Sequence, residues 1–273
     1  MPRLGSAPAR SGPRISGGPL LVAAALGAAA LGAAACGDDP PEKPAVCGGS
    51  QAAAPRLGTL QITDSIHDLQ CGPTLDFVPI NSYEGEIASV QDREGAVVLI
   101  DGRCTGTLIA AAAGPVVATA GHCVAVGDRD LVVFNFEDAP DGDPLIVEGT
   151  VIEQSSEPDY ALIKLDALPA LEPIQLTSRP TDLLAIIQHP RGKPKVIAEG
   201  AFLASCDGQI YYTDLDTLVG SSGAGVLNHE GYLVGIHTDG DCATDGGGSN
   251  RGWTAAAIVE ASAYLQDADI ADR

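Results

Sequence analysis

The sequence predicts an all-β protein in which two six-stranded antiparallel β-barrels are followed by one C-terminal helix. Three observations carry this expectation. From about Glu84 onward the 273-residue chain breaks into twelve short apolar runs rich in Val, Ile and Leu, separated by Gly, Pro, Asp and Asn. Runs this short between turn signals fit strands, because helices need more length. The 33 Gly and 19 Pro, with only 4% aromatic residues, suit a turn-rich fold and exclude long helical bundles. Finally, six runs fall on each side of 166–183, where Pro169, Pro173 and Pro180 mark a connector.

Taken in order, the first set is 96–100, 106–109, 115–118, 131–136, 145–152 and 160–165, and the second is 184–188, 195–203, 209–213, 224–227, 232–236 and 253–258. Residues 254–267 then place Ile258, Val259, Ala261, Ala263 and Leu265 on or near one face, the pattern of a terminal helix. Residues 1–35 precede all of this with Arg3, Arg10 and Arg14 ahead of an uncharged alanine-rich run from Pro19 to Ala35. This reads as a signal peptide rather than a membrane span, since glycines interrupt the run and it ends on small residues. Residues 36–83 form a tether and pre-domain strap. The Pro-, Gly- and Ala-rich part at 37–56 lacks apolar periodicity, and the expected folded domain spans 84–273.

Charge excludes one class of partner. Fifteen Lys and Arg against 36 Asp and Glu give a net −21; removal of residues 1–35 takes three Arg and no acid, leaving −24. Nucleic-acid binding draws on clustered cations, and no basic stripe exists here. The acidic segments 137–144 and 239–248 lack calcium-loop ligand spacing and read as solvated turns. Neither a C-x₂-C nor an H-x₃-H pair is present, so no metal and no cofactor are expected. Apart from Cys36, the six cysteines Cys47, Cys71, Cys104, Cys123, Cys206 and Cys242 read as disulfides of an exported chain, with fifteen possible pairings.

Three segments carry chemistry. Ala118-Thr119-Ala120-Gly121-His122-Cys123 follows an apolar strand; Asp159 opens the alternating strand 159–165; and Gly220-Ser221-Ser222-Gly223-Ala224-Gly225 is a glycine-rich turn. A serine hydroxyl becomes a useful nucleophile only when an imidazole removes its proton, and that imidazole needs an acceptor to fix its tautomer. His122, Asp159 and Ser222 supply these three roles, at separations of 37 and 63 residues. The N–H groups of Gly220 and Ser222 are candidates for an oxyanion hole. His67, His189 and His229 are assigned no catalytic role.

In the order His, Asp, Ser and in these motifs, the chain resembles the chymotrypsin-fold, trypsin-like serine proteases over roughly residues 84–268. The stretch from Tyr211 to Gly240 is similar to the bacterial glutamyl-endopeptidase, or V8-like, branch, with Thr217 five before Ser222 and His237 fifteen after it. The resemblance implies a serine endopeptidase acting on protein or peptide substrates as a monomer. It further implies that Thr217 and His237 contact an acidic side chain in the S1 pocket. Asp216 stands where a carboxylate selects Arg and Lys in trypsin, and would either face the pocket or turn away to bind backbone or hold His237 protonated. Trypsin-like relatives bridge the positions matching Cys104 and Cys123; Cys206–Cys242 and Cys47–Cys71 complete the expected scheme. Ser221 occupies the position of the Asp that receives a new N-terminal ammonium in trypsin-like zymogens, so that switch is expected to be absent. Leu31 to Cys36 resembles a lipoprotein leader ending at a lipidated Cys36, the single expected membrane attachment of a secreted or envelope-anchored protein. A protease-like scaffold that binds without turnover is the alternative.

Overall fold

The computed structural model describes residues 47, 70–138, 144–266, 268 and 270–271. The signal peptide, Cys36, the tether at 37–56 apart from Cys47, and His67 lie outside the described residues.

Two closed barrels form the body, as the run pattern predicts. After the short strand β1 (Val78–Pro79) and the helical turn α1 (Ala88–Gln91), the first barrel consists of β2 (Val97–Ile100), β3 (Cys104–Ile109), β4 (Val116–Thr119), β5 (Arg129–Phe134), β6 (Leu145–Ser156) and β7 (Asp159–Leu165), closed in the order β2-β3-β4-β7-β6-β5. The connector contains β8 (Leu176–Thr177). The second barrel then comprises β9 (Leu183–Gln188), β10 (Val196–Cys206), β11 (Gln209–Thr213), β12 (Gly225–Leu227), β13 (Leu233–Asp239) and β14 (Asn250–Thr254), ordered β12-β9-β10-β11-β14-β13 and closed by β12 against β13. Strand β1 adds to β10, β8 lies parallel beside β13, and β15 (Ile270–Ala271) lies parallel on the far side of β8.

Packing between the barrels explains why several strands read as unbroken apolar runs. In β9, Leu184 and Ile186 point into the second barrel with Ile210, Tyr212 and Val226, whereas Ala185 and Ile187 join a cluster with Ile100, Leu108 and Ile163 of the first. Both faces of β9 are thus buried, and alternation disappears. Strand β5 lies away from that interface and keeps it: Asp130, Val132 and Phe134 are buried while Arg129 and Leu131 are exposed.

The C-terminal helix is shorter than expected, and the apolar run 253–258 divides. Asn250–Thr254 is strand, and α2 spans Ala255–Ala261. Thr254 makes the switch, because its Oγ1 accepts the Ala257 N–H at 3.1 Å as an N-cap. At the other end Ser262 Oγ accepts from both Tyr264 and Leu265 N–H, taking the chain out of helical register.

Disulfide pairing corrects two of the three expected bridges. Cys104–Cys123 is present, with S–S 2.03 Å, and closing so short a loop stabilises by about 3 kcal/mol in the chain-entropy view. Cys47 pairs with Cys206 and Cys71 with Cys242, replacing Cys47–Cys71 and Cys206–Cys242. Sheet order is the reason. Cys206 pairs across β11 and β14 to the level of Ile236, three strands from β13, and Cys242 lies beyond the end of β13. Three strand spacings of roughly 4.8 Å exceed what a disulfide can span.

The Glu137 end of the first acidic segment is also not a solvated turn. Lys195 is completely buried between the barrels; its Nζ donates to the Glu94 carbonyl at 2.8 Å, Glu94 Oε2 at 2.5 Å and Glu137 Oε1 at 2.9 Å. Burial alone would push Glu137 up, yet hydrogen bonds from Glu94 and Lys195 and the ammonium charge hold it down at about 2; Glu94 is raised, first by burial and then by Glu137. Because the folded pKa of Glu137 is depressed from 4.5, its contribution is complete above that value and is lost as pH falls toward 2. Lys195→Met should leave the Glu137 carboxylate buried without its cation and destabilise the fold by about 3 kcal/mol near neutral pH, with a smaller loss near pH 3, as read by urea unfolding at both pH values.

Candidate active site

The first barrel supplies an imidazole and a carboxylate. His122 sits in the helical turn Gly121–Cys123 that ends β4, and Asp159 opens the neighbouring β7. Asp159 Oδ1 accepts the His122 backbone N–H at 2.9 Å and Oδ2 lies 2.7 Å from Nδ1. One carboxylate therefore holds both the backbone and the ring of the histidine. Gln154 Nε2 adds a bond to the Gly121 carbonyl at 2.9 Å. Burial alone would lower His122, but the hydrogen bond and charge of Asp159, with a further contribution from Asp239, keep it above its ordinary 6.5.

The second barrel supplies the serine turn. Leu218 to Ser221 form a tight turn in which the Ser221 N–H donates to the Leu218 carbonyl at 2.9 Å and Ser221 Oγ accepts the Leu218 N–H at 3.0 Å. Ser221 thereby satisfies the turn with its own hydroxyl. Gly223, with φ +88, passes so close to the first barrel that a Cβ would lie 2.1 Å from Thr119 Oγ1 and 2.2 Å from the Thr105 carbonyl, so only glycine fits. Ser222 is drawn to the histidine side by its main chain: its carbonyl accepts the Thr105 N–H at 2.9 Å and lies 3.9 Å from Cys123 Sγ. Cys123 is the neighbour of His122 and is bridged to Cys104, the neighbour of Thr105. No described residue accepts the N–H of Gly220 or of Ser222.

The residues expected to line S1 separate into two groups. Asp216 is fully buried and turned away from that pocket: Oδ1 accepts the Cys71 N–H at 2.7 Å and Oδ2 the Asp76 N–H at 2.5 Å. It anchors the strap, and so is removed from the substrate-contacting set. Thr217 and His237 are buried close by; Thr217 Oγ1 accepts from Asn250 Nδ2 at 3.2 Å, and His237 Nδ1 lies 2.6 Å from Tyr212 Oη. Burial, reinforced by the charge of His122, lowers His237 to about 3, so it is neutral at physiological pH and Asp216 does not hold it protonated.

Sequence reasoning missed Thr105, Tyr212 and Asn250. Each sits in an apparently ordinary strand, and its importance comes from a cross-strand or cross-barrel partner. His189 is buried, stacks on Phe136 with ring centroids 6.0 Å apart, and is lowered to about 4 by burial with the Lys195 charge adding to it. His229 lies in the turn after β12, where its N–H donates to Thr181 Oγ1. Among the described residues there is no group of three or more His, Cys, Asp or Glu arranged to hold a metal ion, and no helix long and apolar enough to cross a membrane.

The role of general base expected of His122 gives its raised pKa a kinetic consequence, since a base must be neutral to accept a proton. The acidic limb of the kcat/KM profile should fall at a pH above 6.5. Asp159→Asn should move that limb downward while lowering the plateau by about 10⁴-fold, as the wrong tautomer is then favoured.

Comparison with known proteins places this geometry. Residues 104–236 match the family model described as the trypsin-like peptidase domain. No curated protein matches the sequence. Among solved structures, the inactive form of the Rv3671c protease is 19% identical, with a TM-score of 0.52, covering 66% of this chain and 93% of that one. A serine-to-alanine mutant of Rv3671c from M. tuberculosis H37Rv gives 18%, 0.51, 67% and 92%, and the serine endoprotease from Yersinia pestis gives 18%, 0.51, 66% and 66%. At these identities the structures establish the fold, and the family match covers the segments that hold His122, Asp159 and Ser222. The chain is a serine endopeptidase, a hydrolase built on a chymotrypsin-like pair of β-barrels.

Proposed function

We propose that the protein cleaves peptide bonds through an acyl-enzyme formed on Ser222, with His122 as general base and Asp159 as its orienting acceptor. The observation that carries the reading is the two-point hold of Asp159 on His122, set beside a serine turn whose carbonyl is bonded to Thr105. In the first step the Ser222 hydroxyl attacks the scissile carbonyl and its proton passes to His122 Nε2. The carbonyl oxygen becomes an oxyanion facing the N–H groups of Gly220 and Ser222. Collapse of this intermediate returns the proton to the leaving amine, and water repeats the sequence to release the acid.

For the residue preceding the scissile bond the reading is an acidic side chain, in line with the V8-like resemblance. With both Asp216 oxygens occupied by backbone N–H groups, no free carboxylate is left at that position to select Arg or Lys. A neutral His237 whose Nδ1 accepts from Tyr212 carries its proton on Nε2, leaving one donor for a substrate carboxylate. Burial keeps the Tyr212 phenol un-ionised, so it retains the proton that this arrangement donates to Nδ1. The protein is further proposed to act as a monomer outside the cytoplasm, secreted or held by lipid at Cys36, with no zymogen switch at Ser221.

Labelling of the folded protein with a fluorophosphonate probe tests the nucleophile. Ser222 should be modified, and Ser222→Ala should abolish labelling and reduce turnover by several orders of magnitude. An unlabelled Ser222 in folded protein would favour a binding scaffold. For specificity, His237→Ala should lower kcat/KM after Glu by about 10- to 100-fold, the worth of a hydrogen bond to a charge, and leave simple ester hydrolysis nearly unchanged. Cleavage confined to Arg and Lys sites in a peptide library would reverse the acidic assignment.

A further inference from the structure

We propose that Thr105, on the first barrel, is a positioning residue for the oxyanion hole on the second, acting through its hydroxyl. The inference rests on the protease reading above and adds a residue to it.

Thr105 is completely buried, and all three of its polar groups cross to other segments. Its N–H donates to the Ser222 carbonyl at 2.9 Å, and its own carbonyl accepts from Thr119 Oγ1 at 2.7 Å, three residues before His122. Its Oγ1 accepts the His189 N–H at 3.0 Å and donates to the Gly220 carbonyl at 2.8 Å. A hydroxyl has one proton, so the incoming His189 N–H leaves that proton only one use, the bond to Gly220.

What this bond controls follows from peptide geometry. In a trans peptide the C=O and N–H point in opposite directions, so fixing a carbonyl aims the next N–H away from it. The Val219 carbonyl is held by the Arg191 N–H at 2.6 Å, the Gly220 carbonyl by Thr105, and the Ser221 carbonyl by the Ala224 N–H at 3.0 Å. The N–H groups of Gly220 and Ser222 therefore project to the other side, and no described residue accepts either. Of the three anchors, two are main-chain donors. Thr105 is the one that depends on a side chain, and it holds the 220–221 peptide that lies between the two donor-bearing peptides, at a glycine with φ +98. Neighbouring Val219 is 68% exposed and packs on little that would hold it in place.

Without the hydroxyl, the Gly220 carbonyl loses its partner, and the 220–221 peptide that joins the two donor-bearing peptides is held only from its other side, by the Ser221 N–H on the Leu218 carbonyl. The oxyanion donors would then be correctly aimed for only part of the time, and the loss would fall on the transition state rather than on substrate binding. Thr105→Val keeps the branched shape and removes only the donor and acceptor; Thr105→Ser keeps the hydroxyl.

The test compares wild type, Thr105→Val and Thr105→Ser on one peptide substrate, with thermal melts of each. Thr105→Val should lower kcat by about 10- to 100-fold, less than the roughly 100- to 1,000-fold of removing an oxyanion donor because the donors are misaimed and not deleted, with KM within about threefold. Thr105→Ser should recover kcat to within about threefold of wild type. A peptide aldehyde supplies a second readout: Ser222 Oγ bonds to its carbonyl carbon, the hydroxyl proton passes to His122, and the oxygen becomes the bound oxyanion. Its affinity should fall in parallel with kcat in Thr105→Val, whereas a non-covalent product peptide should bind as to wild type. If Thr105→Val does not fold, Thr105→Ala must show the same selective loss. Wild-type kcat in a folded Thr105→Val or Thr105→Ala protein, or equal losses in Thr105→Ser and Thr105→Val, would overturn the inference. Wild-type protein that neither turns over nor labels at Ser222 would instead refute the protease reading itself.

Discussion

The hydrogen bond from the Thr105 N–H to the Ser222 carbonyl joins two barrels whose interface is packed largely with apolar side chains. Hydrophobic contact presses the barrels together but carries no direction. A site split between them needs directional contacts to fix its register. The Cys104–Cys123 bridge ties the strand bearing Thr105 to the turn bearing His122, and the close approach of Gly223 brings the serine turn against that same pair of strands. Lys195, enclosed by Glu94 and Glu137, supplies a second directional tie elsewhere on the interface.

Burial assigns charge within the same region. His122 is partly open to solvent and beside a carboxylate, so its protonated form is favoured; His237 and His189 are enclosed, so theirs is not. Three histidines of one ordinary pKa are thereby given different states by surroundings alone. Asp216 shows the corresponding effect for a carboxylate: burial raises it even though two backbone N–H groups draw it the other way. The strap segment at 70–76 is what provides those donors, and the Cys71–Cys242 bridge fastens it to the loop that follows β13. A stretch outside the expected barrel domain thus helps to decide which charges remain near Thr217 and His237.

Much of the architecture was legible in the primary structure because it depends on local pattern. Short apolar runs between glycines, prolines and aspartates are strands wherever they pack, and their division around the proline-bearing connector follows from chain order. The run at 253–258 was misjudged because apolar content persists across the end of β14 into α2, and only the Thr254 cap separates the two. The serine turn and the histidine turn were also visible, since each concentrates glycine and a polar side chain in a few residues.

What the sequence by itself determined, then, was the two-barrel fold, the disulfide-bonded state of its cysteines and the segments that carry His122, Asp159 and Ser222. Tertiary structure alone decided which cysteines meet, that Asp216 faces the strap, that Lys195 and Glu137 are enclosed together, and that Thr105 touches three other segments at once. The difference has a physical cause. Strand formation and tight turns depend on neighbours along the chain, whereas disulfide partners, buried charge and cross-barrel hydrogen bonds depend on which strands the closed barrels set side by side, at sequence separations of up to 171 residues.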